Sequence, residues 1–170
     1  MMGKVLVFDT SVLCVWLRVR GFDRCGPDID VWDYERIDAK IRKEESDGTL
    51  FVLPIATIIE TGNHITHANG DKLPSAEALR GVIENVADAS APWAAFEQMQ
   101  ELFSPERLKE LANKWIGTVN SGQSLGDASI ADVAEYYSKM GKEVEIFTAD
   151  AGLKSYQPIL RVEPRRRRWK

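Results

Sequence analysis

The sequence predicts an α/β protein whose parallel sheet is covered by helices on both faces. Three observations carry this. Short apolar runs stand at Lys4 to Phe8 (KVLVF, with a β-branched bias), Leu50 to Leu53 (LFVL) and Val144 to Phe147 (VEIF), each the length of a buried strand. Longer segments of helical period separate them, and that alternation reads as strands joined by crossover helices. Two of the strands run straight into an Asp with small polar neighbours, Asp9-Thr10-Ser11 and Thr148-Ala149-Asp150. Both acids are thereby delivered to the carboxyl edge of the sheet, where open parallel sheets bind their ligands.

The remaining elements follow in chain order. Ser11 is a candidate cap for a short helix reaching Leu17, and Gly21 to Asp28, with Gly26 and Pro27, reads as a loop. Ile37 and Ile41 at helical spacing predict a helix over 31–45, which Asp47-Gly48 stops. Pro54 opens a helix with Ile55, Ile58 and Ile59 on its apolar face, running to about His67. A turn over 69–74 (NGDKLP) precedes a helix from Ser75. Ala91-Pro92 and Ser104-Pro105 each read as a helix start with Pro in the first turn. They give a helical layer between Glu60 and Asp127, rich in Trp93, Phe96, Leu102, Phe103, Leu108, Leu111 and Trp115. A helix over 126–140 ends at Gly141 in the usual left-handed manner, and a last strand is expected near Ile159 to Val162.

At 170 residues, 44% hydrophobic and 28% charged, the chain is long enough to bury a core as one domain, 1–164, followed by a basic tail, 165–170. Residues 161–170 carry a net charge of +5, which leaves −9 on residues 1–160 of a chain whose total is −4. An acidic body argues against broad electrostatic binding to nucleic acid and for a local acidic pocket with one cationic arm, Arg165, Arg166, Arg167 and Arg168. Cys14 and Cys25 have no CxxC or HxxxH companions and read as free thiols of a reducing cytosol. The opening MMGKVLVFD is too short for a signal-peptide core and no later run reaches membrane-spanning length, so the expected location is cytoplasmic.

Asp9, Glu60, Asp127 and Asp150 are expected together at one sheet edge, as a carboxylate cluster of the kind that holds Mg²⁺ or Mn²⁺ against a phosphodiester. Each also has a plainer role. Asp9 fits a turn or helix cap. Glu60 shares a helix face with Asn63, His64 and His67, a polar stripe whose two His residues lack the further ligands of a zinc site. Asp127 closes a capping box with Ser124, while Ile130, Ala131 and Ala134 on its face place it at the rim of the core. Asp150 fits the cap of a turn before Gly152. Asp132 turns away from the face of Asp127 and is expected in solvent.

These residues together resemble the PIN-domain family of metal-dependent nucleases, toxin-like or RNA-processing members. The likeness rests on VFDTSVL at Val7 to Leu13, IIETGNH at Ile58 to His64, LGDASIADVA at Leu125 to Ala134 and FTADAGL at Phe147 to Leu153, in order across nearly the whole chain. It implies a Rossmann-like three-layer sandwich around a mostly parallel five-stranded sheet, with 74–122 as an extra helical layer. It implies Asp9, Glu60, Asp127 and Asp150 as metal-binding acids, with Thr148, Ser11 and Asn63 as polar support. The activity it implies is cleavage of single-stranded RNA by a metal-activated water. Such a protein is often the toxin of a toxin–antitoxin pair, with a small antitoxin as partner, and a homodimer is left open. A structure-specific DNA nuclease and a non-catalytic binding module of the same fold are the alternatives. A haloacid-dehalogenase-like phosphatase would need a second Asp two positions after Asp9, where Ser11 stands.

Overall fold

The computed structural model of the chain describes residues 3–159. Three strands form its parallel sheet: β1 (Lys4–Phe8), β4 (Leu50–Val52) and β5 (Glu143–Phe147), in the order β4-β1-β5. The central strand registers Val7 against Val52 on one side and Ile146 on the other. Alternation along the strands divides the core in two. Leu6, Phe8, Phe51 and Phe147 face one helical layer, and Val5, Val7, Val52, Val144 and Ile146 face the other. The sheet is three-stranded among the described residues, not five-stranded, and the strand expected at Ile159 to Val162 falls outside them apart from the exposed Ile159.

Both edges of this small sheet are occupied. Beside β4, the Phe51 N–H donates to the Pro92 carbonyl and the Ala94 N–H to the Phe51 carbonyl, so Trp93 forms a single parallel bridge. Ala91-Pro92 therefore leads into an extended segment, and a 3-10 helix follows only at Phe96–Phe103. A Pro entering an extended stretch and a Pro in the first turn of a helix share the same φ, which is why the sequence signal misled. Along the free edge of β5, the Gln157 side-chain carbonyl accepts from the Ile146 N–H at 3.0 Å and Lys154 Nζ donates to the Ile146 carbonyl at 2.9 Å.

Helix α1 (Thr10–Trp16) is capped by Asp9, not by Ser11. The segment expected as a loop contains β2 (Arg24–Cys25), which pairs antiparallel with β3 (Trp32–Asp33) where a helix was expected to begin, so α2 (Tyr34–Ser46) starts three residues later than expected, capped by Asp33. Helix α3 (Ile55–His67) buries Thr57, Thr61 and Ile65, whereas Ile59 is 58% exposed and Ile55 also faces out, so the expected apolar face is wrong by about a third of a turn. The Thr57 hydroxyl satisfies its burial by donating to the Phe8 carbonyl, which pins α3 to the end of β1. Helix α4 (Leu73–Ala87) packs on the same layer as α1.

On the other layer lie α5 (Pro105–Thr118), capped by Ser104, and α6 (Leu125–Lys139), capped by Ser124; the short α7 (Ala151–Lys154) closes the described chain. Asp132 on α6 is buried, contrary to expectation, because Arg107 and Lys114 of α5 reach it at 3.0 and 3.3 Å. No helix among the described residues is long and apolar enough to cross a membrane.

Candidate active site

Asp9 is the most enclosed acid of the edge, 5% exposed. Its position is fixed from behind by Phe8, whose ring lies within 5.1 to 5.6 Å of the rings of Phe51, Trp93 and Phe147. The β1–β5 ladder extends one residue further, the Asp9 N–H donating to the Phe147 carbonyl at 3.1 Å. That step sets Thr148 beside Asp9, and the Thr148 hydroxyl donates to Asp9 Oδ2 at 2.7 Å. The Ser11 hydroxyl and N–H donate to the same oxygen at 2.6 and 3.3 Å. Ser11 Oγ also accepts from the Ala149 N–H, and Thr148 Oγ1 accepts from the Asp150 N–H at 2.9 Å. The loops after β1 and β5 are thus laced together at the carboxyl edge, and Thr148 and Ser11 are the lacing.

Asp150 caps α7 through Oδ1, which takes the Gly152 and Leu153 N–H groups at 2.6 and 3.1 Å. Asp127 completes the capping box of α6, its Oδ2 accepting from the Ser124 N–H at 3.3 Å. It is half-buried, at the rim expected of it. Asp127 and Asp150 line one cleft of about 290 Å³ with Gly122, Gln123 and Tyr156. Glu60 is tied to this edge by Thr10, whose hydroxyl donates to Glu60 Oε2 at 2.9 Å. Its other oxygen lies against the backbone of Gly126, where an added Cβ would stand 2.0 Å from Oε1.

Each of the four carboxylates is therefore anchored through one oxygen and leaves the other, among the described residues, without a hydrogen-bond donor. None of the four has an ion pair there, whereas Glu44, Asp132 and Glu135 elsewhere are all paired with Lys or Arg. The links among them are indirect: Thr148 joins the Asp9 carboxylate to the Asp150 backbone, Asp127 and Asp150 line one cleft, and Glu60 lies against the backbone at the start of α6. Among the described residues no three His, Cys, Asp or Glu side chains gather closely enough to hold one ion by themselves.

Asn63, His64 and His67 are exposed, and His67 Nδ1 is engaged with the Asn63 carbonyl, so this stripe does not join the acids. Arg165 to Arg168 lie outside the described residues. Two contributors were not foreseen. They are Thr10, which holds Glu60, and Gly126, against which Glu60 lies. The signal for both is the same: a small residue beside an acid, at the start of a helix. Cys14 and Cys25 are unpaired thiols near this edge. Burial, then the charges of Asp9, Cys25 and Glu60, push Cys14 up to about 12 against an opposing contact with Thr61, and burial with Asp9 pushes Cys25 up to about 11. At neutral pH both are protonated and poor nucleophiles.

No family model, no curated protein and no solved structure matches this chain.

Proposed function

We propose that the chain is a divalent-metal-dependent endoribonuclease with a PIN-like fold, cutting single-stranded RNA by hydrolysis. The observation that carries this is the set of four carboxylates at the sheet edge, each held by one oxygen and with the other free, and none offset by a cation. The parallel β4-β1-β5 order, and the four motifs in their sequence order, support the family reading.

The donor set fits Mg²⁺ or Mn²⁺, since hard cations take oxygen ligands and commonly need only one or two carboxylates besides water and substrate phosphate. Asp9, Glu60, Asp127 and Asp150 would hold the ion or ions, with water and substrate phosphate completing the ligand set. A bound divalent ion supplies a water of lowered pKa and charge to offset the leaving oxygen. The chain's own part is preorganisation. Ser11 and Thr148 fix Asp9, Thr10 fixes Glu60, and two helix starts fix Asp127 and Asp150, so little side-chain freedom remains to be lost on binding. The cleft between Asp127 and Asp150 is open enough for a phosphodiester to approach. The reading carries a small antitoxin protein as the natural partner and the arginine tail as an arm toward the RNA.

The test is cleavage of a single-stranded RNA with Mn²⁺, with Mg²⁺ and with EDTA. Asp9→Asn keeps an acceptor oxygen for Ser11 and Thr148 and remains a good helix cap, so the fold should stay. Cleavage should fall by at least ~100-fold, beyond the loss typical of residues that only support a ligand. Undiminished cleavage in EDTA would remove the metal mechanism.

A further inference from the structure

The loop after α1 builds a second concavity that the acid edge does not use. It encloses about 260 Å³ between Arg18, Arg20, Phe22, Asp23, Tyr34 and Glu35. The Arg18 guanidinium lies over the Tyr34 ring, 4.0 Å from its centre. The Arg20 guanidinium packs on the backbone of Gly70, where a Cβ would meet Nη1 at 2.1 Å. Among the described residues, none of these four charged side chains has an ion pair, whereas Arg36, Arg42 and Lys43 nearby all do. The pocket presents fixed donors, free acceptors and aromatic faces in one place.

Two Arg against two acids leave the pocket neutral, which disfavours a phosphate and favours a flat, uncharged ligand with donors and acceptors on different edges. Guanine has that pattern. Its O6 and N7 accept from an Arg fork, and its N1–H and exocyclic amine donate to a carboxylate. Phe22, and the Arg18 guanidinium held over Tyr34, offer planar surfaces to a base. Adenine's Watson–Crick edge sets one donor, the N6 amine, beside an acceptor, N1, so it gives Asp23 or Glu35 a single bond where guanine gives two. The location also suits a strand held at the acids. Phe22 meets His64 edge-to-face with ring centres 4.7 Å apart, His64 is one turn beyond Glu60, and the seven residues of α1 span about 10 Å from Asp9 to the pocket side.

We propose that this pocket binds a guanine base of the single-stranded RNA near the bond that is cut, an inference that rests on the nuclease reading. The first experiment titrates the full chain with GMP, AMP, CMP and UMP in EDTA, so that no metal-phosphate contact contributes. GMP should bind about tenfold or more tighter than AMP. The D23N/E35Q variant, altered at two exposed side chains, should lose the preference, and Asp9→Asn should keep it. The second compares, in Mn²⁺, cleavage of an RNA with the same RNA carrying inosine for guanosine, which lacks the amine; several-fold slower cutting is expected. Equal affinities for the four nucleotides, or a GMP preference that survives in D23N/E35Q, would overturn the pocket while leaving the nuclease reading intact. A GMP preference in a protein that cuts no RNA would sink the nuclease reading and leave the pocket standing for a free guanine nucleotide.

Discussion

Gly126 shows how a single hydrogen atom can matter at this edge. It is the second residue of α6 with an ordinary helical backbone, so Ala there should cost nothing in conformation and gain up to about 0.5–1 kcal/mol of helix propensity. Yet the added Cβ would stand 2.0 Å from Glu60 Oε1, and the flexible carboxylate must swing aside. Gly126→Ala should therefore keep or slightly raise the melting temperature while cutting RNA cleavage at least tenfold, in the range of lost supporting contacts, about 10–100-fold. Thermal melts and cleavage rates on the same preparation would separate the two effects. Unchanged cleavage would mean that Glu60 takes no part. Asp9 teaches the complementary lesson: it is both the cap of α1 and the buried acid of the edge, and the sequence could not rank these roles because one geometry serves both.

Among the elements, α2 is tied to the sheet by a buried ionic network. Glu44 receives Lys4 at 2.5 Å, Lys40 at 3.1 Å and the Thr49 hydroxyl at 2.7 Å, while Lys4 and Lys40 also reach Glu145. Burial pushes the Glu44 carboxyl up, and the bonds from Lys4, Thr49 and Lys40 outweigh it, leaving it at about 2. Its folded value lies below the unfolded 4.5, so the contribution is complete above that pH and is lost as pH falls toward 2. At most about 3 kcal/mol is involved, less for screening at the partly exposed lysines. Urea midpoints of the native chain and of Glu44→Gln should therefore differ at pH 6 and converge near pH 2. A gap that persists at pH 2 would assign the effect to packing. The strands β1, β4 and β5 and the helices α3, α5 and α6 were legible because each had a run, a cap or a stop of its own. The β2–β3 hairpin was not, since two-residue strands have no periodicity to read. Nor was the buried face of α3, where Thr57 goes inward to bond the Phe8 carbonyl and Thr61 by packing alone, while Ile59 stays out. Asp132 was misjudged because its cations lie on α5, at 18 and 25 residues' distance.

For the molecule as a whole, an acidic body and a basic end pose a problem of approach. The body repels RNA and the four Arg of the tail attract it, so in the proposed nuclease Arg165 to Arg168 carry the salt-sensitive part of binding. Each phosphate contact to a single strand adds about −0.7 to the slope of log affinity against log salt. Removing residues 165–170 should flatten that slope by roughly two to three units and weaken binding, with the metal requirement unchanged. An unaltered slope would point the tail toward a protein partner instead. The strand-then-Asp pattern placed Asp9 and Asp150 at the carboxyl ends of β1 and β5, but said nothing about what guards the flanks of the sheet. A parallel sheet this narrow exposes two rows of backbone groups that invite another strand, the route by which sheet proteins polymerise. Trp93 closes one flank and Gln157 with Lys154 plugs the other. The double variant K154A/Q157A should be no worse a folder at low concentration but should form thioflavin-positive aggregates sooner as concentration rises. One side chain at the end of the last helix and one just past it thus shield the strand they touch, beside the same short helix that Asp150 caps.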